Sequence, residues 1–181
     1  MKSTLKKAVL ALVAIGTLGS CTSHQSLQEY YVDSAENPNF LALDIPASIL
    51  NLDKVELSPS EREVVKSLKK LNVLAFRKTT DNVMEFKQEK AKVSAILKDD
   101  KFVELMKLNS SYGKGVIKYL GDEDAIDEVV IYGNSEDKGF ALIRILGNNM
   151  NPAQMMTLVQ ALQKSDYKGA GFGEISGFLK D

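Results

Sequence analysis

The chain contains a single cysteine, Cys21, and this cysteine directly follows a short apolar leader. With one cysteine the chain can form no intramolecular disulfide, and zinc or iron–sulfur sites that need several cysteines are excluded. The leader has a basic start with three lysines, an apolar stretch from Ala8 to about Leu18, and then small residues. That stretch is shorter than the ~20 apolar residues that cross a bilayer. Residues 1–20 are therefore predicted to be a cleaved secretory signal peptide.

The leader ends in Leu18-Gly19-Ser20-Cys21, which resembles the lipobox of bacterial lipoproteins. In a lipobox the cysteine thiol receives a diacylglycerol, and a peptidase cuts the bond that here joins Ser20 to Cys21. Two or three acyl chains give stable anchoring, because each buried CH₂ contributes ~0.8 kcal/mol. We therefore expect Cys21 to carry the lipid that holds the chain to a membrane. The alternative is an ordinary signal peptide with a chance cysteine near its end.

The residues after Cys21 bear on the choice of membrane. An acidic residue there keeps enteric lipoproteins at the inner membrane, and an acidic patch sends Bacteroidetes lipoproteins to the cell surface. The segment Thr22-Ser23-His24-Gln25-Ser26 has neither feature. The resemblance therefore implies anchoring at the periplasmic face of an outer membrane.

The charge balance argues against nucleic acid as a partner. The whole chain has 23 basic and 24 acidic residues, and the leader holds three of the lysines and no acid. The mature chain is therefore mildly acidic, and no run of residues supplies the clustered positive charge that phosphate backbones require. Beyond the leader we predict a lipidated tether at 21–28, one globular domain at 29–165 and a flexible glycine-rich tail at 166–181.

Hydrophobic periodicity and capping signals predict the elements of this domain. The predicted strands cover residues 40–45, 73–76, 115–120, 128–132 and 140–146. Predicted helices follow the capping patterns Ser58–Glu61 and Asn82–Glu85, and a closing helix starts at Asn151-Pro152. We expect an α/β (α+β) fold: a single two-layer domain with a mixed five-stranded sheet, three or four helices on one face, and the order β-α-β-α-β-β-β-α.

Two details of that prediction concern apolar residues outside the five strands. Val64, Val65, Leu68 and Leu71 are expected on one face of the helix after Ser58. The Asp99-Asp100 pair is expected to interrupt the second helical region before a shorter segment, and no strand is predicted there. That segment carries Phe102, Leu105, Met106 and Leu108.

Several strand phrases resemble a known family. They are Asn39-Phe40-Leu41-Ala42-Leu43-Asp44-Ile45-Pro46, Leu71-Asn72-Val73-Leu74-Ala75-Phe76, Asp127-Glu128-Val129-Val130-Ile131-Tyr132-Gly133 and Gly139-Phe140-Ala141-Leu142-Ile143-Arg144-Ile145-Leu146-Gly147. Together they are similar to the domain of unknown function 4252 family of exported, often lipidated Bacteroidetes envelope proteins. The resemblance covers about residues 40–162 and implies a location in the cell envelope and a fold. It supplies no catalytic residues and no cofactor.

The acidic run before the fourth predicted strand is the only candidate metal site in the sequence. Asp122 and Asp124 stand with three further carboxylates within seven positions, and Ca²⁺ prefers several oxygen ligands. The spacing fits no EF-hand loop, so an acidic solvated turn is the better interpretation. Asp44 and Asp53 could form an acid–base pair, but nothing in the sequence indicates that they meet. The only histidine, His24, lies in the predicted tether, so a nucleophile within the domain lacks its usual base.

Three cations interrupt or end apolar strands and define a candidate binding face. Alternation turns Lys118 away from Ile117 and Tyr119, and it places Arg144 on the face of Phe140 and Leu142. If helices cover only the other face, these cations and nearby tyrosines form a basic and aromatic surface. The candidate residues are Arg77, Lys118, Arg144, Tyr119 and Tyr132. An ordinary solvated sheet face is the competing interpretation.

Three functions follow as hypotheses. The first is a non-enzymatic, lipid-tethered envelope module without a cofactor that binds a protein or an anionic component through this face. The second is a metal-assisted envelope hydrolase that uses carboxylates such as Asp44 and Asp122. The third is a membrane-associated stress or signalling component.

Overall fold

The computed structural model describes residues 25–50, 56–110, 113–122 and 125–151, together with residues 154 and 157. The predicted signal peptide, Cys21, the glycine-rich tail and nearly all of the predicted closing helix lie outside these residues. The helices are α1 (Leu27–Ala35), α2 (Pro59–Ser67) and α3 (Val83–Ile96), with a short 3₁₀ helix at Ala47–Leu50. The strands are β1 (Phe40–Pro46), β2 (Leu68–Arg77), β3 (Val103–Ser110), β4 (Gly113–Asp122), β5 (Ala125–Ser135) and β6 (Gly139–Met150).

The six strands form one sheet in the order β1-β2-β6-β5-β4-β3, and every pairing is antiparallel. The prediction of an α+β domain is confirmed, and all five predicted strands are present. The prediction of a mixed, five-stranded sheet is wrong, because the segment after Asp99-Asp100 forms the edge strand β3. A bulge between Glu104 and Met106 breaks the period-two alternation there, so the sequence pattern hides the strand.

Helices cover both faces of the sheet, which corrects the predicted single helical layer. On the α1/α3 face, those two helices pack over an apolar cluster that includes Phe76, Phe140 and Leu142. On the α2 face, α2 and the 3₁₀ helix pack over a second cluster that includes Val73 and Ile145. The physical reason is visible in β2, where residues 71–76 are all buried, because a strand covered on both sides is apolar without alternation.

Helix α1 was not predicted, although it carries a capping box. The Ser26 hydroxyl accepts from the backbone of Glu29 at 3.2 Å, and the Glu29 carboxylate accepts from the backbone of Ser26 at 2.8 Å. Tyr31 connects this helix to the sheet, because its hydroxyl contacts the carbonyl oxygens of Leu43 on β1 at 2.7 Å and Val73 on β2 at 3.0 Å.

The predicted start of α2 is confirmed, with a capping box between Ser58 and Glu61 and Pro59 at the first helical position. The predicted extent is wrong, because Leu68 and Leu71 belong to β2 rather than to the apolar face of the helix. The chain therefore changes from helix to strand without a loop, and β2 begins five residues before the predicted strand.

The predicted start of α3 after Asn82 is confirmed, but the capping box is not formed. The Asn82 side chain instead accepts from the backbone of Thr79 at 2.8 Å and donates to the carbonyl of Arg77 at 2.8 Å. It also donates to Asn39 at 3.1 Å, so it connects the loop before β1 to the start of α3.

Candidate functional site

The structure separates the five residues of the predicted binding face. Lys118, Tyr132 and Arg144 lie on the α1/α3 face, as alternation predicted for the two cations. Tyr119 is buried on the α2 face. Arg77 ends β2 next to Phe76, so it points to the α2 face by alternation. The expectation of an open face that unites all five is therefore corrected.

Arg144 is buried and paired. Its guanidinium donates to both carboxylate oxygens of Glu128, at 2.6 and 2.9 Å, and its third nitrogen donates to the Gln28 side chain at 2.5 Å. The side chains of Arg144 and Glu128 are 6% and 12% exposed. A bidentate pair with this burial is a structural contact that joins β5 and β6 to α1. Arg144 is thus not available to a partner.

Lys118 is also held by the fold. Its ammonium donates to the carbonyl oxygens of Leu97 at 2.7 Å and Phe102 at 3.2 Å. Leu97 is the C-cap of α3, where unpaired carbonyls carry partial negative charge. Lys118 therefore stabilises the end of α3 while its charge faces the space between that helix and β4.

That space is a cleft of about 390 Å³ between the end of α3 and strands β3, β4 and β5. Four lysines line it, against one glutamate, Glu104. We call it the lysine cleft. Its lysines are Lys98, Lys107, Lys114 and Lys118.

Strand register explains why lysines meet in this cleft. Across the α1/α3 face, Lys107 of β3 pairs with Val116 of β4, and Val116 pairs with Tyr132 of β5. Lys114 and Lys118 lie two positions either side of Val116 and share its face. Three lysines therefore surround Val116, each within about 7 Å between Cα atoms.

The electrostatic environment beside the cleft is also positive. The Glu136 carboxylate forms an ion pair with Lys90, and the Lys78 ammonium donates to the Glu136 carbonyl. The hydrogen bond and charge of Lys90, followed by the charges of Lys78 and Lys114, hold the pKa of Glu136 below its usual range. Glu104 is the carboxylate within the cleft, and it lies 3.4 Å from the Lys107 ammonium with both side chains exposed.

Tyr132 lies under the cleft and is only 6% exposed. Burial, with a smaller contribution from the charge of Glu136, raises its pKa to about 12. Its buried hydroxyl has no hydrogen-bond partner among the described residues. The ring packs on Phe140 at 5.9 Å between centroids, so Tyr132 supplies an uncharged aromatic floor.

The candidate carboxylates do not assemble into a site. Asp122 is exposed at the end of β4, and Asp124 lies outside the described residues. Asp44 is exposed on β1, 3.4 Å from the Lys70 ammonium. Three strands separate β1 from β4, which places Asp44 and Asp122 about 19 Å apart across the sheet. Within the part of the chain that the structure describes, no group of three or more potential metal ligands occurs.

Sequence reasoning found Lys118 and Tyr132 but missed Lys98, Lys107 and Lys114. Lys107 and Asn109 alternate with Met106 and Leu108, which was the available signal for a strand with one polar face. Lys98 could not be assigned, because its place in the cleft depends on how α3 packs across the sheet.

Comparison with known proteins places this fold in a family. No helix in the described segments has the length and apolar character needed to span a bilayer. No curated protein and no solved structure shows significant similarity to the chain. A family model described as "Domain of unknown function (DUF4252)" matches residues 30–158, which include β1 to β6 and all of the lysine cleft. The chain therefore belongs to the DUF4252 family.

Proposed function

We propose that this protein is a lipid-anchored component of a bacterial cell envelope that binds another envelope component without catalysing a reaction. The single observation that carries the binding half of the proposal is the lysine cleft. The anchoring half rests on the leader and on the position of Cys21. The family match supports the fold and leaves the activity open.

The anchoring proposal is supported by where the chain enters the fold. Gln25 precedes α1 and is four residues beyond Cys21, a stretch that spans at most about 14 Å. Gln25 lines a surface depression together with Lys98, which also lines the lysine cleft. A lipid on Cys21 would therefore hold the cleft end of the domain near the membrane. We propose the periplasmic face of an outer membrane as that location.

The binding proposal is supported by how the fold uses its other polar groups. Arg144 and Glu128 neutralise each other inside the domain. Asn82 links Asn39 to the loop before α3. The lysines of the cleft are different, because they gather excess positive charge around an open space with an apolar floor. Such a site fits an anionic ligand or an acidic surface of an envelope protein.

The hydrolase hypothesis is weakened by geometry, since Asp44 and Asp122 occupy distant strands. The hypothesis of a stress or signalling component remains compatible with a binding module, because it concerns the process rather than the site. Identification of the partner would decide between a binding module of another process and a stress or signalling component.

Crosslinking in living cells of the source bacterium tests the proposal. The wild-type protein, a Lys107→Gln/Lys114→Gln variant and a Lys66→Gln/Lys69→Gln control are crosslinked and purified in parallel. All four lysines are exposed, and the control pair lies on or next to α2, away from the cleft. We expect a specific partner to be captured by wild type and control and to be reduced in the cleft variant.

A Cys21→Ala variant separates the two halves of the proposal. Loss of the partner in that variant alone would mean that membrane location, not the cleft, determines the interaction. Equal capture by the cleft variant and by the wild type would overturn the cleft as the binding site.

A further inference from the structure

We infer that the lysine cleft binds a phosphate group carried by an envelope component, with the phosphate seated over Val116. This inference rests on the proposed binding function and specifies its ligand. The shared chemistry is a phosphate monoester or diester, which a lipid headgroup or a soluble phosphate ester can present.

Three lysines of the cleft surround one apolar residue on the sheet. Lys107, Lys114 and Lys118 occupy three of the positions around Val116 on the same sheet face. Their Cα atoms lie within about 7 Å of that of Val116, so the side chains of Lys107 and Lys114 can converge above it while the Lys118 ammonium stays at the carbonyls of Leu97 and Phe102. Lys98 closes the cleft from the end of α3. A site with several ammonium groups suits a group that spreads its charge over several oxygens.

The cations of the cleft are all of one type. Every cation in the cleft lining is a lysine, which acts as a mobile point charge and does not form the planar fork of arginine. A planar carboxylate gains most from a bidentate guanidinium, as Glu128 does from Arg144 in this domain. A tetrahedral phosphate accepts hydrogen bonds from several directions, which three or four ammonium groups can supply.

The residues around the cleft lysines leave their positive charge available to a phosphate. Lys118 keeps its contacts to the end of α3 and contributes its charge in place. Glu104 is the one acidic side chain in the lining, and its 3.4 Å ion pair with Lys107 is exposed. Replacing Glu104 by a phosphate as the partner of Lys107 therefore costs little free energy. Asn109 and Asn134 flank Lys114 in the register, and the Asn134 amide nitrogen donates one hydrogen bond to the Lys114 carbonyl at 3.3 Å, which leaves its second N–H for a ligand. The apolar floor of Val116 and Tyr132 can contact the body that carries the phosphate.

Lysine footprinting on the purified protein tests the inference directly. The mature protein is purified from cells with its native N-terminus and treated in detergent with a limiting amount of an amine-acetylating reagent. Mass spectrometry then measures the extent of acetylation of each lysine. Inorganic phosphate is titrated at constant ionic strength, with acetate as the matched anion. We expect phosphate to slow acetylation of Lys107 and Lys114 saturably and to leave Lys66 and Lys69 unchanged.

A variant extends the test. Lys114→Gln removes one of the lysines around Val116, and we expect it to weaken the phosphate protection of Lys107 roughly ten-fold. A Lys66→Gln variant should leave that protection unchanged. Equal protection of Lys66 and Lys69, equal protection by acetate, or no saturable protection would each overturn the phosphate site.

Vesicles distinguish the two sources of phosphate. The protein is bound to vesicles of phosphatidylcholine, whose phosphodiester charge is balanced by its own choline cation, with or without phosphatidylglycerol, whose phosphodiester charge is unbalanced, and the footprint is repeated. Protection by phosphatidylglycerol without added phosphate would identify a lipid headgroup, and protection only by added phosphate would identify a soluble ester. Footprinting requires neither a lipid on Cys21 nor a captured partner, so its failure leaves the proposed anchored module standing.

Discussion

Arg144 is the residue at which a single substitution should have the largest electrostatic effect. Arg144→Met leaves the Glu128 carboxylate buried without its bidentate partner, and we expect a loss of about 3–5 kcal/mol in unfolding free energy. Replacing both residues, as in Arg144→Met/Glu128→Leu, removes the uncompensated charge and should cost less than the single change. Urea unfolding followed by circular dichroism measures all three proteins.

Gln28→Ala is the matched control for Arg144, because it removes the third hydrogen bond and leaves the ion pair intact. Its expected cost is about 1 kcal/mol. If the double variant were as unstable as Arg144→Met, the pair would not be the reason for the loss.

The tyrosines of the α1/α3 face predict a decline of stability at alkaline pH. Burial raises the pKa of Tyr31 and of Tyr132 to about 12, from 10.0 for an exposed tyrosine, and it raises the pKa of Tyr30 further still. The folded state therefore holds protons that the unfolded state releases above pH 10. The stabilisation is complete below pH 10 and is lost as pH rises from 10 to about 12, by up to ~1.4 kcal/mol per pH unit for each residue.

Tyr132→Phe and Tyr31→Phe each remove one of these contributions, and the contribution of Tyr30 remains in both variants. Tyr132→Phe should be nearly neutral at pH 7, because its buried hydroxyl has no partner among the described residues, and it should flatten the alkaline decline. Tyr31→Phe should cost about 1 kcal/mol at pH 7, because it loses contacts to the backbone of β1 and β2. Unfolding midpoints between pH 7 and 11 test this, and an unchanged decline in the Tyr132 variant would contradict it.

The sequence predicted which sheet face a residue occupies, but it did not predict the contacts of its side chain. Alternation correctly placed Lys118 and Arg144 relative to their strand neighbours, because the side-chain period of two is local. It could not show that Arg144 meets Glu128 or that Lys118 reaches Leu97. Those contacts depend on strand order and on the packing of α1 and α3, which are set by the whole core.

Among the elements, the β5–β6 hairpin depends on one glycine. Gly139 has a φ of 126°, and a Cβ there would overlap the carbonyl oxygen of Phe76 on β2. Gly139→Ala should therefore destabilise the protein by about 2 kcal/mol or more. Gly133 in β5 is the matched control, because nothing lies within 4 Å of the corresponding Cβ. Thermal unfolding compares the two, and an equal shift would contradict the assigned role of Gly139.

Elements with strong local signals were predicted, and those without them were missed. The capping box at Ser58 located the start of α2, and turn residues located the β5–β6 hairpin. β3 was missed because its bulge puts Glu104 and Lys107 on one face, three positions apart. α1 was missed although Leu27, Tyr30, Tyr31 and Ser34 are buried at helical spacing and Ser26 and Glu29 gave a capping signal, because the polar residues after Cys21 favoured a tether over 21–28.

At the scale of the molecule, two helical layers and one sheet leave the cleft where α3 ends above β3 and β4. The number of layers was predicted wrongly because periodicity shows that a segment is buried and does not show what covers it. The cleft itself arises from non-local packing, since its lysines come from α3's end and two strands. The proposed function combines this basic cleft with a proposed lipid anchor on Cys21, four residues before Gln25.

The attachment of lipid to Cys21 is the claim that determines where this module acts. Mass spectrometry of the N-terminal peptide of protein purified from the membrane fraction measures it directly. We expect a peptide that starts at Cys21 and carries a diacylglycerol on the thiol, and we expect Cys21→Ala to lose the membrane anchoring that this lipid provides. A mature protein with an unmodified Cys21, or with a cleavage site elsewhere, would contradict it.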